Sequence, residues 1–379
     1  MKQILIVGAG KEGKGTIGDM FHEAGWQLTF LDKDPQVIEN LNSQGYYTLT
    51  CYYQDHTETR RIDGYRAYSA SKEYDVLEAV INADLIALCL YPEDIASAAQ
   101  YLGRGLRERF LANPSSALGI ISCTNKNHII RNVQEYFESE MQDGRQRSWF
   151  SSQAAVRDVI VRRSANAASA SSVELTTKVL QTLLIQPELP VDIGDVKWLE
   201  YYDGLETLKD IKILTYNCPH ATYAYAGYQK GYETIAQAEK DPEIARLVEQ
   251  CMEEAVQGIL MEYPVSEKFL RDFINAPKAL DEEPELIRRV ALDPLRKLSR
   301  YDRLTANAVH CWNHGIGISA LVQSIANGMA YDAPEDPAAV KIQTMIRELG
   351  ILRAVSHVTG LPEEHPIVRK VAEAYQNME

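Results

Sequence analysis

Short continuous apolar runs alternate with amphipathic stretches through the first half of the chain. Gln3-Ile4-Leu5-Ile6-Val7, Gln27 to Leu31, Asp84 to Leu90 and Leu118 to Cys123 carry apolar residues without polar alternation. Strands of this kind are covered on both faces, and their separation by helical patterns predicts a parallel sheet with helices on either side. Pro35 suits the first turn of the helix after the second run. Tyr46 to Tyr53 and Thr59 to Tyr68, rich in Tyr, Thr and β-branched residues around a polar turn, read as an antiparallel pair. Residues 162–172, RRSANAASASS, are of low complexity and read as a surface loop, and Val173 to Val191 offers further strands. From about Leu199 the pattern turns helical almost without interruption, with Ile211 to Gly227, Pro242 to Tyr263, Asp302 to Met329 and Asp336 to Leu352 as the longest stretches. The expectation is a doubly wound α/β sheet over residues 1–195 followed by a mostly α-helical domain over residues 196–379.

The first connection carries chemistry. Gly8-Ala9-Gly10-Lys11-Glu12-Gly13 is a GxGxxG that follows a strand and opens a helix. In that setting Gly8 permits a tight turn, Gly10 lets a pyrophosphate approach the backbone, and Gly13 lets the helix pack close to the sheet. The pyrophosphate then rests on the helix N-terminus, stabilised by its free N–H groups and the helix dipole. Asp32 closes the second strand roughly 20 residues on, the offset at which a carboxylate binds adenosine ribose hydroxyls. A carboxylate there repels a 2′-phosphate and favours NAD over NADP. The first domain is therefore expected to be of Rossmann type and to bind NAD through Gly8, Ala9, Gly10, Lys11, Glu12, Gly13 and Asp32, with Leu90 in the loop toward the nicotinamide end. That loop, Leu90-Tyr91-Pro92, is equally readable as a plain helix start.

Composition narrows the partners. The 379 residues include 39 basic and 53 acidic ones, a net charge of −14, with 45% hydrophobic residues. This is a globular composition long enough to bury a large core without disulfides. An acidic surface repels nucleic acid and anionic lipid, so neither is an expected partner, and an anionic substrate has to be held by particular basic residues. The longest apolar run, Leu85 to Tyr91, is too short to cross a bilayer, and Ile4 to Val7 is too short for a signal-peptide core. A cytoplasmic location is expected. Six scattered cysteines without a CxxC pair read as reduced thiols.

In the helical half, Lys212-x4-Asn217-x2-His220 sets three polar groups into an apolar stretch. At about 100° per residue Asn217 lies roughly 140° and His220 roughly 80° from Lys212, so the three share one side of the helix. Pro219 lacks an N–H and should disturb the helix, freeing the Thr215 carbonyl. A desolvated lysine can take the proton of a secondary alcohol, while Asn217 and His220 donate hydrogen bonds to the same oxygen, so the set suits hydride transfer to a nicotinamide. The alternative is a solvent-facing lysine with Asn and His satisfied by nearby carbonyls.

The spacing Lys212-x4-Asn217-x2-His220 resembles the signature of the polyol-specific long-chain dehydrogenase/reductases. Further matches are the Gly8 to Gly18 loop, the Leu28-Thr29-Phe30-x-Asp32 strand end, Cys123-x-Asn125, Met252-Glu253-Glu254, and Pro294 to Ser299 leading into Asp302-Arg303-Leu304. The resemblance implies that Lys212 is the general base, that Asn217 and His220 bind the reacting oxygen, that Asn125 helps close the oxyanion site, and that no metal takes part. The chain departs from the phosphate-specific pattern at Thr124, at Arg157 to Val161 and at Glu283-Pro284, all on the substrate side.

Arg296-Lys297, with Arg300 and Arg303, is the densest basic cluster and the expected dock for a substrate phosphate through Arg296, Lys297 and Arg303. Alternatively it pairs with Asp281-Glu282-Glu283 or Asp302. His310 and His314 share a helical face without evident further ligands and are read as helix residues. The leading expectation is an NAD-dependent dehydrogenase of a polyol or polyol phosphate, as a monomer or a homodimer. A hydroxy-acid or glycerol-phosphate type dehydrogenase and a non-catalytic NAD-sensing module are the competing readings.

Overall fold

The computed structural model describes residues 1–70, 73–275 and 284–378. They form two compact units that part between Glu206 and Thr207.

The first unit holds twelve strands in two sheets: β1 (Gln3–Val7), β2 (Gln27–Asp32), β3 (Tyr46–Tyr52), β4 (Thr57–Asp63), β5 (Arg66–Ser69), β6 (Leu85–Leu88), β7 (Leu118–Ser122), β8 (Ala154–Ile160), β9 (Ala165–Asn166), β10 (Glu174–Lys178), β11 (Leu183–Ile185) and β12 (Leu199–Tyr201). The larger sheet has the order β12-β11-β8-β7-β6-β1-β2-β5 and is parallel except where β11 meets β8. Its apolar runs are buried on both faces, as their lack of alternation predicts. Ile4 and Ile6 of β1 enter one core with Phe21, Phe30 and Leu85, while Leu5 and Val7 enter the other with Val80, Ile86 and Leu102. The chain leaves β1 toward β2 and returns to β6 on the opposite side, so the strand order reverses at the carboxyl ends of β1 and β6. Ligands of open α/β sheets bind at such a reversal.

The antiparallel pair is β3 with β4, and the expected second strand proves to be two. Gly64, at φ +69°, ends β4, and β5 then joins β2 in the larger sheet. The smaller sheet has the order β4-β3-β10-β9. Its last member corrects the first part of the reading of residues 162–172 as a surface loop: Ala165 pairs with Thr177, and Arg163 is buried against Asp19 at 2.8 Å, while Ala168 to Ala170 are exposed and outside any strand, as expected. The helical pattern expected from Leu199 begins at Leu205, because Leu199–Tyr201 pairs with β11.

The second unit is helical around one core that includes Cys218, Tyr225, Cys251, Leu298, Cys311, Leu321, Ile325, Met329, Ile342 and Val355. Two of the expected long helices are divided at glycines with positive φ. Thr305–Asn313 and Ser319–Met329 flank Gly315, and Pro337–Leu349 and Ile351–Thr359 flank Gly350. The six cysteines are free thiols. No helix of the described residues is long and apolar enough to cross a membrane.

Candidate functional site

In the first unit the candidate site grows from the end of β1. Gly8 has φ +96°, and a Cβ there would lie 2.3 Å from the Cys89 carbonyl oxygen at the end of β6, so no other residue fits the turn. A Cβ on Gly13 would lie 1.9 Å from the Gly8 oxygen, which lets the following helix press against the loop. In front of Gly10, by contrast, a Cβ would meet nothing within 4 Å, the open approach a pyrophosphate needs. Lys11 and Glu12, half-buried, open the helical segment, whose next turn, Gly13–Gly18, is π-helical. Asp32 is held in place by two backbone donors: Ala9 N–H to Oδ2 at 2.7 Å and Asp34 N–H to Oδ1 at 2.9 Å. Each carboxylate oxygen keeps a further lone pair for a ribose hydroxyl. Lys33, beside it, pairs with Asp94 at 2.6 Å.

Leu90 is half-buried and followed by an exposed Tyr91, at the tip of β6 beside the Gly8 turn. Asn125 is exposed in the loop after β7. That loop is fastened by its neighbours, since Asn127 Nδ2 donates to the Glu206 carbonyl at 2.7 Å and His128 Nδ1 lies 2.5 Å from the Glu206 carboxylate.

In the second unit Lys212, Asn217 and His220 ride on the helix Leu205–Gln229. Ile211, Leu214, Cys218, Ala221 and Tyr225 form its buried stripe at helical spacing, whereas Lys212 and Asn217 are half-buried and His220 is exposed. Lys212 and His220 thus lie on the side of the helix turned away from its core stripe, with Asn217 at the stripe's edge. The helix runs without a break through Pro219. Buried Thr215 Oγ1 donates to Ile211 O at 2.6 Å, and Thr222 Oγ1 to Cys218 O at 3.0 Å, so hydroxyls bond backbone on both sides of the proline.

The basic segment lies alongside this helix. Lys297 and Arg303 are buried and Arg296 is exposed. Arg303 Nε contacts Asp302 at 2.7 Å, and Arg296 reaches Asp293 at 3.1 Å and Asp302 at 3.4 Å. Burial first, then the neighbouring Arg303 and Arg296, bring the Lys297 ammonium down to about 7, and its Nζ donates to the Val290 carbonyl. With Lys297 neutral the three basic residues and two carboxylates balance; protonated, the cluster carries one surplus positive charge. Pairing with Asp302 is therefore realised, and the other expected partners, Asp281 to Glu283, lie outside the described residues.

Two further polar side chains brace the helices around these residues. Asn307 is fully buried, and its Nδ2 donates to Leu214 O at 2.9 Å and to Arg303 O at 2.7 Å. It ties the helix of Lys212 to the basic segment, and its one sequence signal is an amide in an apolar helical window. Glu254, within the Met252-Glu253-Glu254 match, accepts from Ser319 Oγ, Ala320 N and Leu321 N at 3.2, 3.0 and 3.0 Å, capping the helix Ser319–Met329. His314 pairs with Glu262 at 3.1 Å, burial holds His310 below the usual imidazole range, and among the described residues no three His, Cys, Asp or Glu side chains converge as a metal requires.

Residues 2–188 match the model of the mannitol dehydrogenase Rossmann domain, and residues 204–379 that of the mannitol dehydrogenase C-terminal domain. The chain is 26% identical to a mannitol-1-phosphate 5-dehydrogenase of Aspergillus clavatus, over 98% of this chain and 96% of that one. It is 28% identical to the protein of the same name from Thermoanaerobacter pseudethanolicus, over 100% and 98%. Among solved structures it superposes on Pseudomonas fluorescens mannitol 2-dehydrogenase, a ternary complex with NAD and D-mannitol, with a TM-score of 0.79 at 15% identity, covering 100% of this chain and 92% of that one.

Proposed function

Because the chain belongs to the mannitol dehydrogenase family along almost its whole length, we propose that it is an NAD-dependent oxidoreductase. In this reading it interconverts a sugar alcohol phosphate of the mannitol 1-phosphate type and the corresponding ketose phosphate, without a metal. The observation that carries the reading is the Lys212-Asn217-His220 set on one side of its helix, with Lys212 and His220 away from the core stripe, in a chain whose first unit offers a Gly-rich turn and a preset carboxylate.

NAD, when bound, supplies the hydride acceptor. Its fit is supported by the left-handed Gly8, the open approach to Gly10 and the oriented Asp32, which accepts ribose hydroxyls and repels a 2′-phosphate. Neutral Lys212 accepts the alcohol proton at Nζ as the carbinol carbon gives up its hydride, so the alcohol loses two electrons and one proton passes to the protein. Asn217 and His220, with Asn125, donate hydrogen bonds to the oxygen while it is alkoxide-like and then carbonyl. Arg296, Lys297 and Arg303 hold the phosphate, for which the names of the curated relatives give support. One feature favours an unphosphorylated polyol instead: Arg296 and Arg303 already have carboxylate partners.

The test is a substrate screen of the purified protein by NADH absorbance, with mannitol 1-phosphate, free mannitol and hydroxy acids, each with NAD and NADP. The expected result is turnover of mannitol 1-phosphate with NAD. Activity on free polyols alone, unaffected by Arg296→Ala, would falsify the phosphate assignment; activity on hydroxy acids alone overturns the polyol reading.

A further inference from the structure

Lys14 directly follows the glycine motif, yet its side chain is fully buried. Its Nζ donates to Ala170 O at 2.8 Å and to Ser172 O at 2.7 Å. The carbonyl between them, Ser171 O, accepts from Asn40 Nδ2 at 2.9 Å. Three successive carbonyls of the Ala/Ser segment are thus held by two helical segments. One begins at the nucleotide loop; the other, Pro35–Gln44, is capped by Asp34, two residues after the ribose carboxylate Asp32. The small sheet places the segment's two ends, through β9, β10 and the bond from Thr48 N to Val173 O at 2.9 Å, while its remaining bonds are local, Ser169 Oγ to Ser171 Oγ at 3.0 Å and Ser172 Oγ to Glu174 O at 2.8 Å; Lys14 and Asn40 are what fasten the excursion between those ends.

A buried ammonium spent on two carbonyls is an expensive way to fasten a surface turn, since a cation to be desolvated is costlier than an amide. Its position explains the choice of a cation. Asp32 is the carboxylate whose charge reaches Lys14, and burial outweighs that attraction, bringing the ammonium down to about 8. From β3, Tyr47 donates to the Lys14 carbonyl at 2.9 Å and is kept protonated by its own burial. Toward Lys14 and Asn40 the turn presents three carbonyls and no charged group.

We propose that Lys14 and Asn40 are positioning residues that hold the turn at residues 168–172 as a fixed wall beside Asp32, and that this wall sets affinity for the adenosine half of the dinucleotide. The proposal rests on the dinucleotide reading of the glycine motif. It deepens that reading by assigning the low-complexity segment a role in cofactor binding.

The experiment measures binding of AMP, nicotinamide mononucleotide and NADH to the full chain and to Lys14→Met and Asn40→Ala. Loss of a charge-assisted clamp is expected to weaken AMP and NADH about tenfold in Lys14→Met and about threefold in Asn40→Ala, with nicotinamide mononucleotide unchanged. In the unsubstituted protein AMP affinity should fall as pH rises through about 8, where Lys14 loses its charge, and this fall should be absent from Lys14→Met. If Lys14→Met does not fold, Asn40→Ala and the pH series decide alone. Equal weakening of AMP and nicotinamide mononucleotide, or a flat AMP series from pH 7 to about 9, overturns the wall. If the unsubstituted protein binds neither AMP nor NADH, it is the dinucleotide reading that fails.

Discussion

In the first unit what is offered to a ligand is mostly backbone: the Gly8 turn, the open face of Gly10 and the N–H groups that orient Asp32. In the second unit the candidates are side chains, three on one helix and three on a segment tied to it through Asn307, with Arg296 and Arg303 paired to carboxylates and Lys297 to a backbone carbonyl. A backbone site tolerates almost no change at the few positions that shape it and much change elsewhere. A side-chain site spreads its dependence over a network, so it is tuned by charge and pH as well as by shape.

The largest expected effect breaks the second site alone. Lys212→Ala should lower kcat by about 10²–10⁴-fold while NADH binding, followed by fluorescence, stays as it was. Loss of both together would mean that the two sites are not separable as described. The mirror experiment is Gly8→Ala. Its added methyl meets the Cys89 carbonyl at 2.3 Å in a left-handed backbone, so NADH affinity should drop by a factor on the order of 100, and a near-normal affinity would remove the backbone argument.

Asn307→Ala sharpens the contrast at smaller scale. It removes the amide that bonds the Leu214 and Arg303 carbonyls inside the core, a loss of about 1–3 kcal/mol. A kcat/KM roughly tenfold lower at unchanged NADH affinity is expected, together with a lower Tm; a lower Tm with full kcat/KM would mark Asn307 as structural only.

The smallest effect is the pH dependence of the basic segment. Lys297 has a folded value of about 7, below the 10.5 of a free lysine, so the unfolded chain binds this proton more tightly. The resulting penalty on stability is complete below about 7 and fades toward 10.5, so this group makes stability rise with pH across that window. Affinity for a phosphate should move the other way, because the surplus positive charge disappears as pH climbs past about 7. In kinetic terms, KM for mannitol 1-phosphate should rise severalfold over that limb, KM for free mannitol should not, and Lys297→Met should flatten the first curve.

Legibility followed locality in the chain rather than that division. The turn at Gly8 and the carboxylate at Asp32 could be read from spacing, since glycine chemistry is local and the loop connects adjacent strands. The Lys212, Asn217 and His220 arrangement was likewise readable, because helical geometry alone puts the three residues on one side. Ala165–Asn166 gave no strand pattern: two residues in an Ala/Ser run have no period, and they become a strand only because β10 lies beside them. Thr59 to Tyr68 looked like one strand because Gly64 interrupts it without changing its composition.

Local rules thus settled from the chain alone that the apolar runs at Gln3, Gln27, Leu85 and Leu118 become parallel strands covered on both faces, and where the glycine turn and the three-residue helical set lie. They suffice because hydrophobic period, glycine stereochemistry and helical pitch act within a few neighbouring residues. Packing decided what lay beyond them: that Lys14 is buried under a turn 156 residues away, that Asn307 braces Leu214, and that Lys297 sits poised near neutrality. Those outcomes depend on desolvation and on partners distant in sequence, and both come into being only when the chain has closed around them.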